Sequence, residues 1–377
     1  MNVLVLGGGL VGTAIARDMQ LDERFLVTVA DHSAEALQRC SNFGLHVVQA
    51  DVSDDATLAA LLERTDLVLG ALPGNMGFRV LRQAILAGKT VVDISFFPED
   101  PFELDELAKQ HNVTAVVDCG LAPGLSNLLL GRMNAELNHV ESFLCLVGGL
   151  PVTRRKPYEY AAVFSPADVI EEYTRPARYV ENGNMIVRPA LSDVEEVELP
   201  VIGTLEAFNT DGLRTPMATI AAPNMKEKTL RYPGHATLMR MLRDTGFFGK
   251  QALDINGVAV APMDVTARLL FPAWELPSNE HDLSVMRVVV EGSRDASVER
   301  HIFELLDYYD TVTECTSMAR TTGYTCSVTA RLLADDLYTR PGITPPEYLG
   351  ADPQVYDALM EGLRQRGIAF SHRVEIL

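Results

Sequence analysis

Residues 3–17 read VLVLGGGLVGTAIAR. Four apolar residues make a short buried strand, three glycines interrupt it, and the chain resumes at helical spacing. Gly7, Gly9 and Gly12 fit G-x-G-x-x-G in the context where that spacing has a mechanism, a strand followed by a tight turn and a helix. Gly7 permits the turn, Gly9 lets backbone approach a pyrophosphate, and Gly12 lets the helix pack close to the strand. The first helical turn, Leu10 and Val11, then offers free N–H groups and a positive dipole end to the phosphates.

Working outward, the run FLVTVAD (25–31) ends on Asp31. That is about 20 residues past the last glycine, the distance expected of the acid that binds the ribose hydroxyls. Its neighbours His32 and Ser33 include no arginine for a 2′-phosphate, so the cofactor expected is NAD rather than NADP. The other role open to Asp31 is to cap the helix that follows. HVVQAD (46–51) brings a third strand to Asp51, where Asp51 and Val52 would flank an adenine or cap the next helix. Further strands are expected at 66–72, 90–95 and 114–118, each apart from the next by an amphipathic helix. This alternation predicts a doubly wound parallel sheet, with ligands beyond the carboxyl ends of its strands. Leu72, Pro73, Asp93, Ser95 and Asp118 then fall on one rim, near a nicotinamide. The last of these opens the hinge-like stretch DCGLAPG, in which Gly120, Pro123 and Gly124 line the way into a second domain.

From His139 the pattern changes to period-two runs at 140–149, 177–188, 194–203, 217–223, 226–232, 283–292 and 301–310, with helices at 165–173, 235–246 and 262–271. The fold class expected is α/β: an N-terminal Rossmann doubly wound parallel sheet with a second α+β domain containing a mostly antiparallel sheet. The divisions expected are 1–122 for the NAD-binding domain, 123–315 for the substrate-binding domain, and 316–377 for a C-terminal helical segment packing back on the Rossmann domain.

A net charge of −19 disfavours nucleic acid and anionic membrane as partners. Five scattered cysteines with no Cys-x-x-Cys or Cys/His cluster suggest neither a disulfide framework nor a metal site. No apolar run approaches the ~20 residues of a membrane span. The N-terminus lacks a basic region and cleavage site, so a cytoplasmic enzyme is expected. At this size it is expected to be a homodimer or homotetramer with a small-molecule substrate.

The stretches GGGLVG, VADHS, DISFFPED, DCGLAPGLSN, FSPADVIEEYTRPARYVENG, EAFNTDGLRT, KTLRYPGHA and GITPPEYLG together resemble the saccharopine dehydrogenase-like family across nearly the whole chain. The resemblance implies an NAD-dependent oxidoreductase acting at the ε-amine of lysine, with the amino acid held in an interdomain cleft by the second domain. Saccharopine reductases carry an acid in the hinge where this chain has Ala122, and a tyrosine where it has Phe96 and Phe97. Both departures suit the lysine branch of the family.

For that chemistry His235 is the leading proton-transfer candidate, since histidine titrates near neutrality; its other reading is a packing or capping role. Arg231 and Arg175 are candidates for a bidentate grip on the substrate carboxylate. Asp118 would anchor the substrate ammonium or orient a water, or else bond to the Gly120 turn. Tyr173 and Tyr232 would bond ligand or fill an interface. Thr210, Asp211 and Arg214 read as a polar turn. The other classes weighed are a saccharopine or other diamino-acid dehydrogenase and a non-catalytic NAD-binding protein.

Overall fold

The computed structural model describes residues 1–277 and 279–377, and they divide into two compact units. The first comprises Met1–Glu136 with Met318–Ala369, and the second Leu137–Ser317 with Phe370–Leu377.

The first unit is built on a seven-stranded, wholly parallel sheet. Its order is Gly342–Thr344, Thr114–Val116, Thr90–Asp93, Leu67–Gly70, Asn2–Leu6, Leu26–Asp31, His46–Gln49. The central strands are buried on both faces, which is why they read as unbroken apolar runs rather than alternating ones. The order reverses between Asn2–Leu6 and Leu67–Gly70, registered Val3↔Leu67 to Leu6↔Gly70. The crevice beyond such a reversal is where an open α/β sheet takes its ligand. One core gathers Leu4, Leu6, Val68, Leu81, Ile85, Phe97 and Ile343.

The sheet does not end at the sixth strand, as the sequence suggests. Gly342–Thr344 pairs parallel with Thr114–Val116, and a three-residue strand is too short to leave a periodic signal. Nor does the first unit end at residue 122. The helix Leu125–Glu136 stays with it, buried from Leu125 to Gly131 with Ser126 and Asn127 included, and packs on the short helix Pro346–Ala351. A Cβ on Gly131 would lie 2.1 Å from the Glu347 carbonyl oxygen, and one on Gly350 would lie 2.0 Å from that of Leu128. The two helices therefore approach at backbone contact.

The long helix Ser317–Ala334 is fastened by the buried Asp18 of the helix Leu10–Gln20. Its carboxylate accepts from Ser327 Oγ at 2.6 Å, Arg331 Nη1 at 2.7 Å and Arg366 Nε at 2.7 Å. Small residues let this helix close in, as at Gly323, where a Cβ would stand 3.2 Å from Ile15.

The second unit carries a mixed sheet ordered Glu195–Leu199, Gly203–Asn209, Asn224–Arg231, His139–Pro151, Asp282–Arg294, Ser297–Tyr308, Ser371–Ile376. Only the Asn224–Arg231 and His139–Pro151 pair within that order is parallel. The hairpin Ala177–Glu181 and Asn184–Arg188 branches from it. Helices Pro166–Thr174, His235–Thr245 and Pro262–Trp274 bring Tyr173, Met239, Leu270 and Trp274 into a core with Tyr160 and with Phe208 of the strand Gly203–Asn209.

Three readings need correction here. Residues 217–223 are not a strand: the short helix Pro216–Thr219 begins there, because Pro216 is preorganised for the first helical position. The final segment belongs with the second sheet, where Ser371–Ile376 pairs with Ser297–Tyr308 from Glu299↔Ile376 to Glu304↔Ser371. An independent hairpin, Leu253–Ile255 with Val258–Val260, had no place in the sequence reading.

Asp18→Asn leaves two arginines facing a neutral amide. It is expected to destabilise the first unit by about 3–5 kcal/mol, the cost of breaking a buried ion pair from one side. Chemical denaturation of wild type and variant measures the difference.

Candidate functional site

The glycine loop is compressed between backbone segments. Gly7 leaves its strand with φ +102°, and a Cβ there would lie 2.3 Å from the Ala71 carbonyl oxygen. A Cβ on Gly12 would lie 1.9 Å from the carbonyl oxygen of Gly7. A Cβ on Gly9, the residue before the helix Leu10–Gln20, would meet nothing within 4 Å. The loop is thus closed on the protein side and open where a phosphate would come, and the first-turn N–H groups at Leu10 and Val11 lack intrahelical acceptors.

Asp31 ends its strand and ties itself to this loop. Its Oδ2 accepts the Gly8 N–H at 2.6 Å, and its Oδ1 accepts the Ser33 N–H at 2.7 Å. An ionised carboxylate has about four acceptor positions, so capacity for a ribose diol remains. These features fit the ribose end of a pyridine dinucleotide.

Other expected cofactor residues divide. Leu72 and Pro73 follow the strand Leu67–Gly70, and Pro73 caps the helix Gly74–Leu86. Asp51 is exposed, its carboxyl held below the usual range by the Ser53 hydrogen bonds, while Val52 is buried. Capping of the helix Asp55–Glu63 falls to Asp54, not Asp51. Asp93 and Ser95 are turned inward: Ser95 Oγ donates to Asp93 Oδ1 at 2.8 Å, and both residues are buried. Asp118 is also buried, at φ 53°, so the acid is not presented as an open ammonium anchor. Behind it Gly120 and Gly124 bridge each other, and Gly124, at φ 141°, has no room for a side chain, since a Cβ there would lie 1.8 Å from the Gly120 carbonyl oxygen. Pro123 closes the loop by accepting the Gly120 N–H at 3.2 Å.

In the second unit the structure gathers Tyr173, Arg231 and His235 into one buried network. His235 Nδ1 lies 2.7 Å from the Tyr158 carbonyl oxygen, and its Nε2 lies 2.7 Å from Tyr173 Oη. A carbonyl can only accept, so Nδ1 carries the proton, Nε2 accepts from the tyrosine, and the phenolic oxygen accepts from Arg231 Nε at 3.3 Å. Arg231 also donates to the Leu230 carbonyl at 2.9 Å and to Glu172 Oε2 at 2.7 Å, with Tyr160's ring 4.7 Å away.

Arg231, 1% exposed, is therefore committed to internal partners and does not hold out a fork to a carboxylate. His235 is fully buried, and desolvation, with the Arg231 charge, lowers its pKa to about 3. Both ring nitrogens are occupied, which makes it a neutral link rather than a proton carrier. Tyr232 is likewise internal, donating to the Pro151 carbonyl at 3.0 Å.

Arg175 follows the helix Pro166–Thr174 and is largely buried; burial and the charge of Arg214 both lower its pKa. Asp211, read as a turn residue, receives a bidentate grip from Arg178, both bonds 2.8 Å. Several residues that shape this centre escaped sequence reasoning. Glu172 balances Arg231, and burial pushes its carboxyl up. Glu206 accepts the Gly234 N–H at 3.0 Å and the Ala236 N–H, placing a carboxylate on the N-terminus of the helix that begins at His235. Glu227 is raised to about 7 by burial, against hydrogen bonds from Thr210 and Gly212. Glu206 and Glu227 lie on strands, where alternation marks a face but not an acid's partner. Among the described residues no group of His, Cys, Asp and Glu could hold a metal ion, and no helix is long and apolar enough to cross a membrane.

A reversing parallel sheet with a glycine loop at its switch point defines a dinucleotide-binding Rossmann domain, here followed by an α+β unit. The chain belongs to the saccharopine dehydrogenase family: residues 3–116 match the saccharopine dehydrogenase NADP binding domain and residues 120–368 its C-terminal domain. It is 27% identical over 283 residues to a saccharopine dehydrogenase [NADP(+), L-glutamate-forming] of Pyricularia oryzae, covering 71% of this chain and 63% of the relative. To an α-aminoadipic semialdehyde synthase of Arabidopsis thaliana it is 23% identical, over 88% of this chain and 39% of that one. The chain thus spans less than two thirds of the length of either. The saccharopine dehydrogenase of Schizosaccharomyces pombe aligns over 99% of both chains at 22% identity. The apo saccharopine dehydrogenase of Saccharomyces cerevisiae shares the fold, with a TM-score of 0.80 at 21% identity over 99% of each chain.

Two measurements test the site. Gly12→Val forces a side chain into the Gly7 carbonyl and is expected to abolish dinucleotide binding by calorimetry while the second unit stays folded. The second is a stability profile in pH. His235 is held unprotonated in the fold, so its contribution is complete above 6.5 and fades as pH falls toward about 3. Glu227 holds its proton in the fold, so its contribution is present below 4.5 and fades as pH rises toward about 7. Each slope is at most about 1.4 kcal/mol per pH unit, and the two oppose each other in between. Glu227→Gln is expected to expose the acid-side loss, and His235→Gln the loss on raising pH.

Proposed function

We propose that this chain is an NAD-dependent amino-acid dehydrogenase that oxidises the ε-amine of L-lysine, an L-lysine 6-dehydrogenase. The products are 2-aminoadipate 6-semialdehyde, which cyclises to 1-piperideine-6-carboxylate, with ammonia and NADH. The observation that carries the cofactor reading is Asp31, a carboxylate beside the glycine loop with acceptor capacity left and no adjacent arginine. Ala122, Phe96 and Phe97 favour lysine by the family resemblance, since they lack the polar groups of the saccharopine branch.

A nicotinamide held there would supply the hydride acceptor; loss of hydride from the carbon of the neutral amine leaves an iminium, which water hydrolyses to the aldehyde and ammonium. The residues of this chain do the binding. Gly7, Gly9 and Gly12 give the pyrophosphate its approach, Leu10 and Val11 its N–H donors, and Asp31 its ribose partner. In the second unit Arg175, with Arg214 close by, supplies positive charge for a carboxylate. Arg231, Tyr173 and His235 hold the elements that position Arg175: Tyr173 lies two residues before it in the chain.

The substrate amine must be neutral to give up hydride. With a pKa of ~10.4, deprotonation at pH 7 costs ~4–5 kcal/mol. A buried, doubly bonded His235 lowered to about 3 does not meet that cost as a base. The rate is therefore expected to rise about tenfold per pH unit from neutrality toward the amine pKa.

A second reading is saccharopine as substrate with NADP. It is favoured by the names of relatives that align along the full chain, and by the charge of Arg214 near Arg175, which suits a substrate with a further carboxylate. Assays of lysine and saccharopine, each with both cofactors, between about pH 7 and 10 decide the matter. Lysine-dependent NADH formation with a log rate that climbs with pH, a slope retained in His235→Gln, is the expected outcome. Turnover of saccharopine alone transfers the assignment to the second reading. Loss of the pH slope in His235→Gln restores His235 as the base.

A further inference from the structure

Glu227 is a buried carboxyl, 5% exposed, with no cation paired to it among the described residues. It stands on the strand Asn224–Arg231, whose alternation puts Glu227, Thr229 and Arg231 on one face. The arginines around it are engaged with other acids, Arg231 with Glu172 at 2.7 Å and Arg178 with Asp211 at 2.8 Å. Polar donors nevertheless converge on it. Thr210 Oγ1 gives its one proton to Glu227 Oε2 at 2.7 Å, so Thr229 Oγ1, 2.9 Å from Thr210 Oγ1, donates in turn to Thr210. The Gly212 N–H donates to the same Oε2 at 3.0 Å, and a Cβ on Gly212 would lie 2.4 Å from it.

Every hydroxyl in that line points toward the acid, which supports its ionised form. Burial opposes it, pushing the carboxyl up to about 7 against the Thr210 hydrogen bond, and the charges of Glu172 and Asp211 add to the rise. A buried carboxylate is costly unless a cation pairs with it. Here the fold supplies the hydrogen bonds and leaves the cation to a ligand. The loop that carries the donors also carries positive charge: Arg214 follows Gly212 by two residues, and both Arg214 and Asp211 act on Arg175. Asp211 acts on Glu227 as well, so one loop brings the two signs within reach of each other.

An α-amino acid presents the complementary pair, a carboxylate and an ammonium, on a single carbon. We infer that Glu227 receives the α-ammonium of the substrate beside the carboxylate drawn to Arg175 and Arg214, an assignment that rests on the amino-acid substrate proposed above. The ε-amine is the wrong partner for it. That amine must be neutral to give up hydride, and a carboxylate set against it would hold its proton in place. Glu227 therefore serves the amine that keeps its charge, and it selects α-amino acids over ω-amino acids that lack one.

Calorimetry on the full chain saturated with NADH, where oxidation cannot proceed, compares L-lysine with 6-aminohexanoate, which lacks only the α-ammonium. Wild type is expected to bind lysine about tenfold or more tightly than 6-aminohexanoate. Glu227→Gln is expected to weaken lysine binding by about ten- to a hundredfold and to leave 6-aminohexanoate unchanged. Glutamine still accepts from Thr210 and Gly212, so a role confined to tying the loop to the strand would move neither value. The lysine dissociation constant of wild type is expected to fall about eightfold from pH 6 to 7.5 as Glu227 ionises, and that of Glu227→Gln to stay flat. The other titratable groups around Glu227 are Glu172, paired with Arg231, Asp211, paired with Arg178, and the buried Cys145 opposite it on the strand His139–Pro151; all remain in the variant. An unchanged lysine affinity, equal losses for both ligands, or a pH slope that survives the substitution overturns this inference and leaves the dehydrogenase reading standing. A wild type that binds no lysine overturns both.

Discussion

The first unit depends on a steric constraint: two backbone carbonyls occupy the space where side chains of residues 7 and 12 would be. The Ala71 carbonyl presses on Gly7, and the Gly7 carbonyl presses on Gly12. Because these contacts are with backbone, no rotamer change relieves them. The contacts fix the first helix against its strand, and the helix in turn sets Asp18, the anchor for Ser327, Arg331 and Arg366. The open side at Gly9 is the complement of this crowding. One glycine faces protein and tolerates nothing, and its neighbour two residues on faces away.

The second unit is organised around a buried cation. A guanidinium taken from water is costly unless its donors are satisfied, and Arg231 meets that condition with Glu172, Tyr173 and the Leu230 carbonyl. The chain of donors then runs on through Tyr173 to His235 and ends on the Tyr158 carbonyl. Every proton in that line has one direction. Such a network fixes the relation of the helices Pro166–Thr174 and His235–Thr245 to the strand Asn224–Arg231, at the cost of making its histidine chemically quiet.

The glycine loop, the parallel sheet and the mostly antiparallel second sheet were legible because each follows from local pattern: an apolar run before a G-x-G-x-x-G turn, and alternation at period two. Recognition of the family rested on stretches such as GLAPG and KTLRYPGHA, and the domain matches across 3–116 and 120–368 agree with it. Gly342–Thr344 was not legible, since it becomes a strand only through its parallel neighbour. At the candidate site, residue type drew attention to His235 and Arg231, but burial decides what they can do, and burial is a tertiary property. The partners Glu172 and Glu206 could not be paired with Arg231 and the His235 helix from a linear chain. Residues 217–223 misled for a local reason, an apolar composition that masked the proline ahead of it.

Both units are discontinuous in sequence, and this bears on synthesis. The parallel sheet lacks its edge strand, and Asp18 lacks its arginine partners, until the chain beyond residue 318 has left the ribosome. The other unit waits longer still, for the closing strand Ser371–Ile376. Neither unit is therefore complete in its amino-terminal segment alone. Because the segments interleave, no single cut of the chain can release one finished unit from the other.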